Sequence, residues 1–333
     1  MYKTPFHTKD ISKNSFLVTG GAGFIGSHIV EYLIKYNAGK VKVLDNFSTG
    51  FKANLQPFIN LSNFELIEGD IRDFKTCNES CRDVDYVLHQ AALGSVPRSI
   101  KDPISTNEAN VTGFLNILKA SQENNVKRFI YASSSSVYGD SPHLPKKEDN
   151  IGSPLSPYAA SKRVDELYAE VFALNYKLSV VGLRYFNIFG PRQSPSGPYA
   201  AAIPLFIFAM LNNESPFING DGEQSRDFTF VENAVQANIK ALFADISIAG
   251  NIFNIACGER TTINDLFNII RTASGTHTIE PIYRDTRDGD VLHSLADISK
   301  AEKLLGYKPQ VDIKKGLEIT LNWFKENYSH QKE

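Results

Sequence analysis

The sequence is poor in cysteine and has no long apolar run. Its 333 residues include three cysteines, Cys77, Cys81 and Cys257. So sparse and odd-numbered a set is no disulfide framework, and it suits a reducing compartment. Cys77 and Cys81 lie four residues apart without a cluster of histidines or carboxylates nearby. We therefore expect small buried or half-buried side chains there rather than a metal site.

Membrane and export signals are missing as well. No apolar run approaches the roughly 18 residues that cross a bilayer. Residues 1–14 are polar and mixed in charge, without the apolar core of a secretory signal. We expect a cytoplasmic protein with no membrane segment, in which residues 1–14 form a mobile arm before the first strand.

A strong charge of either sign is also absent. The 35 basic and 37 acidic residues leave a net charge of −2. Such a chain has no global field that would attract nucleic acid or an anionic membrane. An anionic substrate would therefore have to be bound by local groups.

Short apolar runs alternate with segments of helical spacing through the first part of the chain. This alternation predicts an α/β fold, a doubly wound parallel (Rossmann) sheet covered by helices on both faces. The predicted strands are residues 16–19, 41–44, 64–67, 85–88, 128–132 and 179–184, and the predicted helices are 24–36, 105–124 and 158–174.

The character of the sequence changes at Gly190, after which prolines and glycines mark a loop and strict alternation ends. We expect a dinucleotide-binding domain over 15–189 and a smaller C-terminal α/β substrate lobe over 190–333. The boundary is soft, so the two parts can interleave.

A glycine-rich turn, TGGAGFIG over 19–26, joins the first predicted strand to the first helix. Gly20 permits the tight turn, Gly23 lets the backbone approach a pyrophosphate, and Gly26 lets the helix pack on the strand. Asp45 ends the next strand, 19 residues after Gly26, where a carboxylate accepts both ribose hydroxyls and repels a 2′-phosphate. Because Asn46 and Ser48 bring no cation, NAD is favoured over NADP. The alternative is an ordinary turn followed by a coincidental aspartate.

Two later strand ends fit the same crevice. Asp70 follows the third strand, where it would accept from the adenine amino group. Gln90, Ala91 and Ala92 follow the fourth, and the small alanines leave room for a cofactor. Taken alone, both segments fit ordinary strand ends equally well.

Tyr158 and Lys162 are separated by one helical turn. An ammonium beside a phenol stabilises the phenolate, which makes a usable general acid or base. The spacing also occurs at Tyr36/Lys40 and Tyr328/Lys332, so the spacing is weak evidence by itself. Tyr158, however, opens a helix after the fifth strand, whose end carries four serines (133–136) that can donate to a sugar oxygen.

These motifs together resemble the extended short-chain dehydrogenase/reductase family, and most of all its bacterial UDP-N-acetylglucosamine 4-epimerases of polysaccharide biosynthesis, O-antigen included. The resemblance runs from about Ser15 to Tyr328. Beyond the motifs above, the matching blocks are SSSSVYG (133–139), LRYFNIFG (183–190), HQAALGSVPRSIKDP (89–103), GDGEQSRDF (220–228) and RDGDVLHSLADISKAEKLLGY (287–307).

The resemblance implies tightly bound NAD and a transient 4-keto sugar that rotates before hydride returns to its other face. Tyr158 would take the proton of the sugar 4-hydroxyl, Lys162 would hold the nicotinamide ribose, and Ser134 and Ser135 would contact the sugar. The implied cofactor contacts are Gly20, Gly23, Phe24, Ile25, Gly26, Asp45, Asn46, Ser48, Gly50, Asp70, Ile71, Gln90, Ala91, Ala92, Tyr158, Lys162 and Tyr185.

For the UDP-sugar, the resemblance assigns Arg226 and Arg287 to the diphosphate and uridine ribose, where a bidentate guanidinium suits phosphate. Surface ion pairs with the neighbouring aspartates are the commoner alternative for such arginines. The remaining implied substrate contacts are Gly94, Ser95, Asn187, Ala201, Ala202, Phe217, Asn219, Asp290 and Ser294.

Ser294 bears on the choice of sugar. The aligned position of plain UDP-glucose/galactose 4-epimerases can carry a tyrosine, and a serine leaves volume for an N-acetyl group. This favours interconversion of UDP-GlcNAc and UDP-GalNAc, unless Ser294 is only a surface hydroxyl. The chain departs from the family pattern at Leu292 and at Ala160-Ser161, where near relatives carry Arg and Val-Thr.

The family pairs through a four-helix bundle, which here would use the helices near 105–124 and 158–174. Val164, Leu167, Val171 and Leu174 form an apolar stripe at helical spacing. The stripe supports a homodimer, although it would equally suit a face turned toward the sheet.

The motifs leave other functions to be considered. A UDP-glucose/galactose 4-epimerase stays open, as does a UDP-glucuronate 4-epimerase or decarboxylase, for which Arg98 would supply a cation. A dehydratase is disfavoured because no acidic pair accompanies the serines 133–136. A non-catalytic NAD-binding redox sensor would not need Tyr158 and Lys162, and a net reductase would need its cofactor to exchange.

Overall fold

A computed structural model of the chain describes residues 1–195, 201–286 and 292–328. Its strands are β1 (Ser15–Thr19), β2 (Lys40–Asp45), β3 (Phe64–Glu68), β4 (Tyr86–His89), β5 (Arg128–Ser134), β6 (Val180–Tyr185), β7 (Ile188–Phe189), β8 (Phe217–Asn219), β9 (Ser225–Arg226), β10 (Thr229–Phe230), β11 (Ile252–Ile255), β12 (Thr261–Thr262) and β13 (Ile282–Arg284). Its helices are α1 (Phe24–Lys35), α2 (Phe74–Ser80), α3 (Val96–Lys101), α4 (Pro103–Asn107), α5 (Gly113–Glu123), α6 (Pro157–Tyr176), α7 (Ala202–Leu211), α8 (Val231–Phe243), α9 (Ile263–Ser274), α10 (Ser299–Leu305) and α11 (Ile313–Tyr328).

The main sheet has seven strands in the order β3-β2-β1-β4-β5-β6-β11, and every pair in it is parallel. This is the predicted doubly wound fold. Thr19 lies opposite Leu44 and His89, and Ser134 lies opposite Tyr185. The carboxyl ends of these strands therefore share one edge, with a crevice at the switch between β1 and β4.

Most predicted elements agree with the structure to within two residues. One difference matters for the site: β5 runs on to Ser134, so two of the serines expected after the strand belong to its end. The predicted helix over 105–124 includes the end of α4 and all of α5, with a π-helical turn at Glu108–Thr112 between them.

Apolar layers cover both faces of the main sheet. On one face α1 and α8 contribute buried side chains such as Ile29, Leu33 and Ala237. On the other face α5 and α6 contribute Phe114, Ile117 and Phe172. The thiols of Cys77 and Cys81 are buried in this second layer, as expected for small core residues.

The N-terminal segment is not the mobile arm that its polarity predicted. Tyr2 and Ile11 are buried in the core beneath α1. Phe6 stacks on Tyr32 with ring centroids 5.2 Å apart, and the backbone N–H of Tyr2 donates to Glu232 of α8 at 2.8 Å. A few aromatic side chains therefore anchor a segment whose average composition is polar.

The C-terminal part is built around a separate apolar cluster that includes Phe206, Phe267 and Leu321. Three small two-stranded sheets accompany it, β7 with β10, β8 with β13 and β9 with β12. β11 and α8 nevertheless pack with the main sheet, and the domain boundary at residue 190 stays a prediction. Within the described ranges, no helix is both long and apolar enough to cross a bilayer.

Candidate active site

The glycine-rich turn lies at the mouth of a cavity of about 560 Å³ at the carboxyl edge of the sheet. A Cβ on Gly20 would come within 2.7 Å of the Ala91 backbone, and one on Gly26 within 2.1 Å of the Gly20 carbonyl. Only glycine allows this approach of strand and helix. Phe24, Ile25 and Gly26, the first residues of α1, line the cavity, and no described side chain caps that helix end. The backbone N–H groups there suit a pyrophosphate.

Asp45 closes β2 against this turn. Its carboxylate accepts the backbone N–H of Ala22 at 2.9 Å and that of Phe47 at 2.8 Å. Burial raises the pKa of Asp45, and these two hydrogen bonds work in the opposite direction. The side chain lines the cavity with its orientation already fixed, as a receptor for ribose hydroxyls requires. A dinucleotide therefore fits the residues that are present.

Asp70 and Arg72, which line the same cavity, form an ion pair that the sequence did not indicate. Arg72 hydrogen-bonds to Asp70 and holds its pKa at about 2. The amide of Asn46 also donates to Asp70, at 2.8 Å. The carboxylate that was predicted to meet the adenine amino group is therefore ionised and oriented by two neighbours.

Tyr158, Lys162 and Ser134 line the same cavity as the glycine turn and Asp45. Ser156 caps α6 by accepting the Ala159 N–H at 3.1 Å, which starts the helix so that Tyr158 lies in its first turn. Ser134 Oγ accepts the N–H of Ser136 at 3.1 Å. Its own hydroxyl proton is left to donate toward the cavity.

Other titratable groups near this site do not compete as bases. Burial raises the pKa of Tyr185 to about 12, and its hydroxyl donates to Gln90 at 3.1 Å while accepting from Asn238 at 2.6 Å. Burial, assisted by the charge of Lys162, lowers the pKa of His89 to about 3. Tyr185 therefore keeps its proton near pH 7, and His89 is too weakly basic to hold one there. Tyr158 stays the residue predicted for proton transfer.

A buried ion pair holds α6 against the strand ends. Arg184 donates to both oxygens of Glu166, at 2.8 and 2.9 Å. Ser133 donates to the same carboxylate at 2.7 Å. The ends of β5 and β6 are thus tied to the helix that carries Tyr158 and Lys162.

A second cavity of about 490 Å³ adjoins the first and shares Asn187, Ile188 and Gln193 with it. It brings together six residues that were predicted to contact the substrate: Asn187, Ala201, Ala202, Phe217, Asn219 and Arg226. Arg226 Nη1 donates to the carbonyls of Ser225 and Leu292. The side chain thus makes backbone contacts in the cavity wall.

Some predicted residues lie beside the cavities rather than in their walls. Gly50 packs against Asp45, Ser95 caps α3, and Ser135 begins a 3₁₀ turn. Ser294 is buried, and its N–H donates to the Ser225 carbonyl at 3.0 Å, so it is not a surface hydroxyl. Arg287 and Asp290 lie outside the described residues. The other predicted cofactor contacts line the first cavity, as does Gly94.

Sequence reasoning missed several residues of the site. Arg192 and Ser194 line the first cavity, and Arg284 lies over the ring of Phe217 in the second, 4.0 Å from its centroid. Asn110 in the π turn accepts the Leu93 N–H at 2.7 Å and donates to Ser161 at 3.1 Å. None of these residues belongs to a recognisable spacing, since each reaches the site from a different element.

Comparison with known proteins gives consistent matches. Residues 16–256 match the model of the NAD dependent epimerase/dehydratase family. The solved UDP-N-acetylglucosamine 4-epimerase of Methanobrevibacter ruminantium, in complex with UDP-N-acetylmuramic acid, is 45% identical, with TM-score 0.89 over 94% of this chain and 98% of that one. UDP-glucose 4-epimerase of Thermotoga maritima, solved with UDP-glucose, is 38% identical, with TM-score 0.88 over 94% and 99%. A putative UDP-glucose 4-epimerase of Methanocaldococcus jannaschii is 42% identical, covering 93% of this chain and 98% of its own.

Replacing Asp45 with alanine is expected to lower NAD affinity by about tenfold or more, because a charged acceptor for the ribose hydroxyls is lost. NAD retained through purification and calorimetric titration of the stripped protein measure the effect. Glu65→Ala is the matched control, because it removes a carboxylate on the neighbouring β3 that pairs with Lys40 on the surface. NAD content equal to wild type would contradict the assignment of Asp45 to the ribose.

Proposed function

The chain belongs to the NAD dependent epimerase/dehydratase family, and from that premise we propose that it interconverts UDP-GlcNAc and UDP-GalNAc. The resemblance drawn from the motifs is confirmed, and the enzyme is a nucleotide-sugar 4-epimerase with NAD as its cofactor. The observation that carries the proposal is the convergence of Tyr158, Lys162 and Ser134 with the glycine turn and Asp45 on one cavity.

The proposed chemistry moves a proton at the sugar 4-hydroxyl. Tyr158 takes that proton, Lys162 stabilises the phenolate form, and the Ser134 hydroxyl donates to the sugar oxygen. NAD, when bound, supplies reversible acceptance of hydride from carbon, so that a 4-keto sugar can be reduced on its other face. Because neither Tyr185 nor His89 gains or loses a proton near pH 7, Tyr158 also returns the proton to the sugar oxygen.

The second cavity is proposed to hold the UDP portion. Asn187 lies in both cavities, where it can contact the diphosphate between nucleotide and sugar. Arg226 supplies positive charge for phosphate, and Phe217 offers an aromatic face beside Ala201 and Asn219 for the uracil. The net charge of −2 makes such local groups necessary for an anionic substrate.

The preference for the N-acetylated pair is proposed on Ser294. Its buried backbone pairs with Ser225, which directly precedes Arg226 in β9. A side chain as large as tyrosine would need space that the 2-substituent of the sugar would otherwise occupy. The UDP-glucose-bound relative keeps UDP-Glc/UDP-Gal as the second candidate pair. Arg98, the cation suggested for a uronate, lines neither cavity, and Ser294 itself lies beside the cavities rather than in their walls.

Tyr158→Phe is expected to reduce turnover by at least about 100-fold, because general acid–base catalysis typically contributes that much. Products from UDP-GlcNAc, UDP-Glc and UDP-GlcA, incubated without added cofactor, are identified by NMR, and UDP-sugar affinity should stay near wild type. Tyr168→Phe on the same helix, outside the cavity, is the control. Comparable turnover in the Tyr158 variant would mean that another base operates.

Ser294→Tyr is expected to reduce turnover of UDP-GlcNAc at least about tenfold more than that of UDP-Glc, since the added ring excludes the acetamido group. Initial rates on the two substrates are compared at equal NAD content. Ser294→Ala, which adds no volume, should leave the ratio unchanged. An equal loss on both substrates would remove the role assigned to Ser294.

We also propose that the enzyme pairs through α5 and α6. Leu167, Val171 and Leu174 of the predicted stripe are exposed, by 46%, 47% and 67% respectively, so the stripe faces outward rather than toward the sheet. Ile100 and Ile104 on α3 and α4 are also exposed, and both helices pack against α6. Association of two such faces would cover the apolar area.

Val171→Glu is expected to shift the protein from dimer to monomer, because it places a charge in the middle of that surface. Light scattering coupled to gel filtration, over a range of protein concentrations, measures the mass. Ile59→Glu is the control at an exposed apolar residue between β2 and β3, on the side of the main sheet opposite the strands β5 and β6 that contact α6. A dimer in both variants would exclude this face as the interface.

The polysaccharide pathway and the cytoplasmic location stay predictions.

A further inference from the structure

Lys162 has a buried counter-ion that the proposed chemistry does not use. Its Nζ donates to Oδ2 of Asp165 at 3.1 Å, one helical turn along α6. The two residues are 3% and 0% exposed. Lys162 lines the cavity that holds Tyr158, whereas Asp165 lines neither cavity. The carboxylate therefore acts on the site through the ammonium.

Packing alone does not account for this aspartate. Oδ1 of Asp165 has no hydrogen-bond partner among the described residues. The carboxylate therefore accepts a hydrogen bond through Oδ2 alone, from Lys162. Removing a carboxylate from water is costly, and an apolar side chain of similar volume is often as stable or more stable at such positions. The interaction of Asp165 with Lys162 is the feature that offsets this cost.

The titratable groups around this pair on β4, β5 and α6 are either neutral or compensated by another charge. His89 on β4 is neutral near pH 7 for the reasons given above, and burial, with the charge of Glu166, raises the pKa of Tyr131 on β5 far above its usual value. Glu166, next to Asp165 on α6, is compensated by Arg184 on β6 and by Arg163. Burial raises the pKa of Asp165 itself to about 7, against the effect of Lys162. The interaction with Lys162 is what favours the ionised form of this carboxyl group.

We propose that Asp165 is a positioning residue that fixes the Lys162 ammonium and offsets part of the positive charge acting on Tyr158. The inference rests on the proposed function in giving Tyr158 the proton transfer. An epimerase takes a proton from a hydroxyl and returns it in each turnover, so a tyrosine that is too acidic would take the proton slowly and return it readily. By offsetting part of the charge of Lys162, Asp165 keeps Tyr158 basic enough to take the proton and acidic enough to return it.

The test measures the ionisation of Tyr158 directly. Tyrosine labelled at the ring carbon that bears the hydroxyl is incorporated, and the Tyr158 resonance is assigned by its loss in Tyr158→Phe. In Asp165→Asn, which is isosteric and neutral, the midpoint of this NMR titration should fall by roughly one pH unit, because a nearby negative charge no longer opposes phenolate formation. The acid limb of kcat should move to lower pH by a similar amount.

The controls separate this role from a structural one. Glu170→Gln removes an exposed charge from the same helix and should leave the midpoint unchanged, whereas Asp165→Glu keeps the charge and should restore most of the wild-type midpoint. If Asp165→Asn does not fold, Asp165→Ser makes the same neutral substitution with a smaller side chain. A midpoint that is unchanged or higher in the neutral variant overturns the proposal. Because the titration needs no turnover, a wild-type protein inactive on every UDP-sugar would refute the proposed function while still testing Asp165.

Discussion

The buried pair between Glu166 and Arg184 is the interaction on which the site depends. It ties α6 to β6, and Ser133 brings the end of β5 into the same contact. Losing one partner of such a pair leaves a charge buried without compensation, which typically costs about 3–5 kcal/mol. The pair therefore fixes the position of the helix that carries Tyr158 and Lys162 relative to the end of β5, which carries Ser134.

Two adjoining cavities of different lining lie at the carboxyl edge of the sheet. The first joins the glycine turn, Asp45 and the candidate catalytic residues, and the second joins apolar and aromatic surface with Arg226. Asn187 belongs to both, directly before β7. β7 pairs with β10, and β11 extends the main sheet. The C-terminal part is therefore connected to the Rossmann sheet beside the residues that the two cavities share.

Many residues of the candidate site could be predicted from the sequence, because the spacings that indicate them span a single turn or a single helix. Gly20, Gly23 and Gly26 report a turn geometry, and Tyr158 with Lys162 reports one turn of helix. Asp165 continues that helical spacing by another turn, yet nothing in the sequence indicates that its carboxylate is buried on Lys162. The prediction of a mobile arm over residues 1–14 is wrong for a related reason. The average polarity of the segment does not show that Tyr2, Phe6 and Ile11 are buried and anchor it.

Local sequence pattern is enough to predict the main strands and helices up to residue 190, the glycine-rich turn and the chemical groups available for catalysis, because each depends on residues close together along the chain. Which of those groups meet depends on how distant segments pack. This packing holds Tyr185 and His89 neutral by burial, pairs Asp70 with Arg72, and places Ser294 beside the strand that carries Arg226. Desolvation and contact between distant segments set these properties, and neither can be read from local spacing.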